Sequence, residues 1–202
     1  MKNIKLENNV ICIRVMEESD TEELIKATQD QQIWKHMTKH IKSEKDAIQY
    51  IQQALLLKDQ GIEIPFVMID QQSNKIIGST RFLDIHLEHK CLEIGSTWLV
   101  PSYWRTPANT NCKFLLLRYC FETMGLHRVQ LKTDHENFRS QKAIERIGAK
   151  KEGILRNHMI RPDGTIRHTV MYSITNEGWP KVKAHLQQLM GLRDGSGVPK
   201  IL

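Results

Sequence analysis

EIGSTWLVPSYWRTPANTNCK, residues Glu93 to Lys113, is the stretch on which the fold turns. A strand ends in it, a short polar loop follows, and a helix begins. Pro101 stops the strand Cys91–Val100, because proline has no N–H to give a sheet ladder. Thr106 followed by Pro107 reads as a helix start, with threonine as cap and proline at the first helical position. The helix then occupies Asn111–Thr123, burying Phe114, Leu115, Leu117 and Phe121 along one face, and Gly125 closes it. Unpaired N–H groups at such a start, together with the helix dipole, suit an anion such as a pyrophosphate, although most helix starts bind nothing.

Working outward from that window, the apolar pattern alternates between two periods. Val10–Met16 reads as a first strand, followed by a helix capped at Ser19 or Asp20 with Glu22 and Glu23 in its first turn. A second helical stretch carries Ile33, Trp34 and Met37, and a third opens at Ser43, buries Ala47, Ile48, Ile51, Ala54 and Leu55, and stops at Gly61. From Ile64 the period becomes that of strands. PFVMID and KIIGSTRFLDIHL form a hairpin across Gln71–Asn74. Beyond the central helix, RVQLKT (Arg128–Thr133) is a strand and Ser140–Ile147 a helix closed at Gly148. Strands Ala149–Met159 and Ile166–Ile174 flank the turn Arg161-Pro162-Asp163-Gly164, and a last helix spans Glu177–Met190. The predicted fold class is α/β: a mixed, mostly antiparallel central sheet with helices on both faces. Residues 1–190 are expected to form one domain, and the glycine-rich 191–202 a mobile tail.

Composition narrows the function classes. The 202 residues are 40% hydrophobic and 26% charged, the make-up of a soluble globular protein with one sizeable core. No run approaches the roughly 18 apolar residues of a membrane span, and no apolar signal core follows Met1, so a cytoplasmic protein with no membrane partner is expected. Cys12, Cys91, Cys112 and Cys120 form no C-x-x-C pair, which points to structural thiols and no metal. The net charge of +6 is divided unevenly, the second half being the basic one. Residues 1–100 carry 12 Lys+Arg against 15 Asp+Glu, whereas residues 101–202 carry 17 against 8. Such asymmetry fits nucleic acid, a membrane surface, a phosphorylated small molecule or a merely solvated face. Nucleic acid is disfavoured, because the cations alternate with apolar residues and no aromatic stacking motif is present.

A second window adds specificity. After RVQLKT comes DHENFRSQKAI, where Asn137 is placed to cap a helix. N-x-x-S-x-x-A-I from Asn137, with I-G-A-K-x-E-G-x-L-R (Ile147–Arg156), resembles motif B of the GCN5-related N-acetyltransferase (GNAT) family. EIG-x-x-WL, the loop Trp104–Thr110 and TNCKFLLLRYCFE resemble its motif A, and the ending DGTIRHTVMYSITNEGWPKVK is similar to the RimJ and RimL branch. The resemblance spans about residues 10–185.

That resemblance implies a parallel pair of splayed strands, ending near Leu99 and following Arg128, that admits the pantetheine arm of acetyl-coenzyme A. It implies transfer of acetyl to a primary amine, a protein N-terminus or a small molecule, by direct attack. Trp98, Leu99 and Val100 would supply a backbone N–H to the thioester carbonyl. Arg105, Thr106, Pro107, Ala108, Asn109 and Thr110 would seat the pyrophosphate. Asn137 would hold the cofactor or a water, with Arg139 near the phosphates. Ser140 would protonate the leaving thiolate or simply bond the cofactor. Glu93 is the candidate base, its rival reading being a half-buried carboxylate bonded within the sheet. Trp34, Met37 and Tyr103 stand as walls of the acceptor pocket or as core. Lys113, Lys142 and Arg146 are further cations within reach of phosphates or solvated. One departure from the family stands out: Trp104, Pro107 and Asn109 occupy the positions of Gln/Arg, Gly and Gly/Ala, so both small residues are missing and Pro107 deletes an N–H. A fold that binds without efficient catalysis is therefore the alternative reading. A monomer and a weak homodimer are equally compatible.

Overall fold

Alternating β-branched and aromatic residues build the sheet, and the structure, a computed structural model, describes residues 3–39 and 41–191. The strands are β1 (Lys5–Glu7), β2 (Ile11–Val15), β3 (Ile64–Asp70), β4 (Ile76–His86), β5 (Cys91–Leu99), β6 (Arg128–Asp134), β7 (Lys150–Ile160) and β8 (Ile166–Thr175). The helices are α1 (Thr21–Ala27), α2 (Glu44–Asp59), α3 (Ala108–Arg118), α4 (Phe138–Arg146) and α5 (Trp179–Leu189). One eight-stranded sheet runs β1-β2-β3-β4-β5-β6-β8-β7, and only β5 and β6 are parallel. This is the mixed α/β sheet read from the sequence, with β1 as an added edge strand.

Period-two alternation divides the buried side chains between two cores. On one face Ile13, Phe66, Leu92, Ile94, Val129, Leu131 and Tyr172 pack with Leu115, Leu116 and Leu117 of α3 and Val182 and Leu186 of α5. On the other, Val67, Ile76 and Trp98 pack with Leu24 of α1 and Ala47, Tyr50, Ile51 and Ala54 of α2. Ser43 caps α2 in a reciprocal box with Asp46, each side chain taking a backbone N–H of the other. Arg81 of β4 pairs with Glu63 just ahead of β3, both more than nine-tenths buried, and its guanidinium lies 4.6 Å from the Tyr50 ring centre. α2 is thereby tied to the sheet.

Two expectations need correction. The stretch around Ile33, Trp34 and Met37 is not an α-helix but a single 3₁₀ turn, Gln31–Ile33, capped by Asp30. Three apolar residues are too short a stripe to nucleate more. α3 begins at Ala108 rather than at Pro107, and its last turn widens to a π-helical one over Tyr119–Thr123 before Gly125, at φ 63°. The tail expected beyond residue 190 lies, past Gly191, outside the described residues.

The feature that matters for function is where β5 and β6 part. They pair at Cys91↔Arg128, Leu92↔Val129 and Glu93↔Gln130, and no further. β6 continues along β8 as far as Asp134↔Thr169. β5 continues along β4, but its register shifts there: Ser79 faces Trp98 while Arg81 faces Gly95. Ser96 and Thr97 thus stand opposite the single residue Thr80, a bulge in which Ser96 adopts φ 48°. A bulge bends its strand and ends regular pairing, so β5 leans away and a gap opens.

Candidate active site

That gap is the mouth of a cleft of about 500 Å³. Of the residues singled out from the sequence, Glu93, Trp98, Leu99, Tyr103, Arg105, Thr106, Asn109, Thr110, Asn137, Arg139, Ser140 and Met37 line it. Val100, Pro107, Ala108 and Trp34 do not. Val100 directs its N–H to Ile77 O at 2.9 Å, so that group is already committed and is not an oxyanion donor. Trp34 is 1% exposed, gives its indole N–H to Thr28 O, and packs edge-on to Tyr50. It is core, not pocket wall.

On the α3 side of the cleft the loop between β5 and α3 is held by its own groups. Thr106 Oγ1 donates to Tyr103 O at 2.8 Å and accepts from Ala108 N, the first residue of α3, at 3.3 Å; the cap position falls on Pro107 rather than on Thr106, and the hydroxyl has little left for a phosphate. Arg105 adopts φ 63°, the left-handed region that glycine tolerates and other residues enter at a cost on the order of 1 kcal/mol. The turn that two small residues would ease is therefore made by a strained arginine. Trp104 donates its indole N–H to Leu99 O at 2.8 Å, and the Arg139 guanidinium stacks 3.7 Å from its ring centre. Arg146 reaches Thr110 Oγ1. Lys113 lines the cleft and is not solvated: it is 5% exposed, donates to Thr97 Oγ1 at 2.8 Å, and burial pushes its ammonium pKa down.

Asn137 does cap α4: its Oδ1 accepts from Ser140 N at 3.0 Å. Its Nδ2 has no hydrogen-bond partner among the described residues, and the residue lines the cleft. Acceptor and donor ends of one amide are thus divided between fold and cavity.

The opposite side of the cleft is ionic. Glu93 is 4% exposed, and its Oε2 lies 2.5 Å from Lys132 Nζ, which also reaches Asp84 at 3.0 Å. Burial raises the Glu93 pKa, and the Lys132 ammonium opposes that rise without cancelling it. Gly95 is needed here, since a Cβ on it would overlap the Glu93 carboxylate. At the end of β6, burial would raise the Asp134 pKa, but the Arg161 guanidinium and the Glu136 N–H outweigh it and hold the carboxyl at about 2. Arg161 grips Asp134 with both Nε and Nη2, at 2.8 and 3.0 Å. His36, Met159 and Arg167 complete this wall. Lys132, Asp134, Arg167 and His36 were not singled out from the sequence. Alternation along RVQLKTD does set Lys132 and Asp134 on one face, yet nothing local says that this face meets Glu93.

The parted parallel strands and the helix start beneath them are the architecture of an acyltransferase cleft, and the comparisons agree. Residues 11–150 match the Acetyltransferase (GNAT) domain, so the chain belongs to the GNAT family of N-acetyltransferases. It is 25% identical over 170 residues to the uncharacterized N-acetyltransferase YoaA of Bacillus subtilis (84% of this chain, 95% of that one). It is 26% identical over 168 residues to the uncharacterized N-acetyltransferase p20 of Bacillus licheniformis (81% and 92%). Its fold is similar to the crystal structure of a GCN5-related N-acetyltransferase from Brucella melitensis, with TM-score 0.85 and 26% identity, covering 92% of this chain and 84% of that one.

Proposed function

We propose that the protein transfers acetyl from acetyl-coenzyme A to a primary amine held at the Glu93 side of the cleft. The observation that carries this reading is the gap beyond Glu93↔Gln130: an extended arm fits between two strands whose edges face each other unpaired. The pyrophosphate would sit by Arg105, Asn109 and Thr110, with Arg139 and Lys142 supplying positive charge. The neutral amine attacks the thioester carbonyl carbon, its nitrogen forming the new C–N bond as the C–S bond breaks. Glu93 takes the proton the amine loses, and Ser140 or a water returns one to the thiolate. Most of the acceleration would come from holding the two reactants together. We propose that residues 1–190 act as one domain inside the cytoplasm, and that similarity to the RimJ and RimL branch extends to this direct mechanism.

Calorimetric titration with acetyl-coenzyme A tests the reading, and saturable binding together with thiol release on adding an amine is the expected result. A specific observation favours a second reading, a binding protein with feeble turnover: the strained Arg105 and the Trp104 indole already bonded to Leu99 O both oppose cofactor entry. Absence of binding at high cofactor concentration would select it.

Asn137 offers a sharper check. Asn137→Asp keeps the oxygen that caps α4 but replaces the cavity-facing donor with an acceptor. The melting temperature should hold, whereas kcat/KM should fall about tenfold, the loss of one hydrogen bond. An unchanged kcat/KM would remove Asn137 from the site.

A further inference from the structure

Of the three cations on the ionic wall, one makes no ion pair among the described residues. Glu93 has Lys132, which Asp84 shares, and Asp134 has Arg161, which Glu136 shares. Arg167, on β8 opposite Met159 of β7, is 8% exposed and lines the cleft. Its Nε donates to Thr169 Oγ1 at 3.1 Å, and neither Nη makes a hydrogen bond or ion pair among the described residues. Thr169 Oγ1 is in turn within 3.0 Å of His158 Nδ1, so the guanidinium is held from behind.

A buried guanidinium without an ion-pair partner costs several kcal/mol, and it cannot escape that cost by losing its proton. Burial does depress the Arg167 pKa, with Asp134 and Glu93 pulling the other way from beyond ion-pair distance. A cation kept under those terms, on a residue that lines the cleft and has both Nη groups without a partner among the described residues, is matched to an anion that arrives with the ligand. Alternation fixes which side it serves. Val170, Tyr172 and Ile174 of β8 pack in the core with α3 and α5, so Arg167 and Thr169 face the other way, with Glu93 and Lys132. That is the wall at which the acceptor amine is deprotonated, not the helix start that suits the pyrophosphate.

We propose that the acceptor is a small amine that also carries a carboxylate, an amino acid, whose carboxylate is gripped by the two Nη groups of Arg167 while its amine lies at Glu93. The inference rests on the acetyl-transfer reading and narrows its substrate class. A single guanidinium fork suits a carboxylate, and both ends of the molecule must fit within one cavity of about 500 Å³ that the acetylated arm also enters. A peptide N-terminus keeps its chain carboxylate far from the amine and leaves Arg167 unpaired.

The test is a thiol-release assay of the full chain with acetyl-coenzyme A and a matched panel: free amino acids, their carboxamides, the decarboxylated amines, and amidated tripeptides beginning with Asp or Glu. At least one free amino acid should exceed its carboxamide about a hundredfold in kcat/KM, the scale of truncating a buried charge pair. Arg167→Gln should remove that advantage, chiefly through KM, lowering kcat/KM for the free amino acid far more than for its carboxamide. Arg167→Met should melt no lower than wild type, because it removes a charge that the empty protein leaves unpaired. The preferred amino acid should raise the melting temperature of wild type but not of the variant. Preference for carboxamides, amines or tripeptides would overturn the proposal, as would equal losses for both acceptors in Arg167→Gln or a lower melting temperature for Arg167→Met. Binding of acetyl-coenzyme A with no turnover of any amino acid also overturns it. Failure of acetyl-coenzyme A to bind at all sinks the transfer reading instead.

Discussion

Glu93→Gln is expected to lower kcat about a hundredfold, the usual worth of a positioned general base, with KM for acetyl-coenzyme A unchanged. The substitution keeps the shape that Gly95 accommodates and removes the charge. In the wild-type protein the carboxylate must be ionised to take a proton, so activity rises with pH through its folded-state pKa. Burial raises that pKa, and the acid limb of the rate profile should therefore lie above the ordinary carboxylate range. In Glu93→Gln this limb should disappear. The stability effect has the same origin: a carboxyl with raised pKa favours the fold below its unfolded pKa, and that contribution is lost as pH rises through the folded value. Glu93→Gln should then be at least as stable as wild type at neutral pH, because Lys132 keeps Asp84 at 3.0 Å. Full activity with an unshifted acid limb would return Glu93 to a bond within the sheet.

The second large effect concerns the attachment of α2. Arg81→Met should destabilise the protein by about 3–5 kcal/mol, because it leaves the buried Glu63 without its partner. For a domain of this size that is a fall in melting temperature of about 10 °C. Adding Glu63→Leu should restore most of it, since an apolar pair of similar volume avoids both desolvation costs. Persistence of the full loss in the double variant would show that the Arg81 contact with Tyr50, rather than the ion pair, holds α2.

Periodicity, caps and breakers made most of the fold legible. Ser43 before α2, Pro101 after β5, the Arg161-Pro162-Asp163-Gly164 turn and Asn137 before α4 all act locally, and each stands where its chemistry predicts. Legibility failed where the deciding partner is distant in the chain. Trp34 has the look of a pocket aromatic, yet its neighbours Tyr50 and Trp98 lie 16 and 64 residues away and turn it into core. Val100 sits in the right segment but faces β4. Arg167, Lys132 and Asp134 are ordinary in their own strands, and only the side-by-side placement of β5, β6 and β8 makes them one ionic wall. The bulge at Ser96 had no local sign either, because a non-glycine residue carries the positive φ.

The bond from the Trp104 indole to Leu99 O gives the protein an intrinsic optical gauge. Trp34 and Trp179, at 1% and 5% exposure, do not line the cleft and have little to respond to there, and Trp98, which does line it, is only 4% exposed. Trp104, half-buried beneath the Arg139 guanidinium, is the tryptophan that an arm lying along β5 would displace. Loading of the cleft would be written in the colour and strength of its fluorescence, with no dye attached.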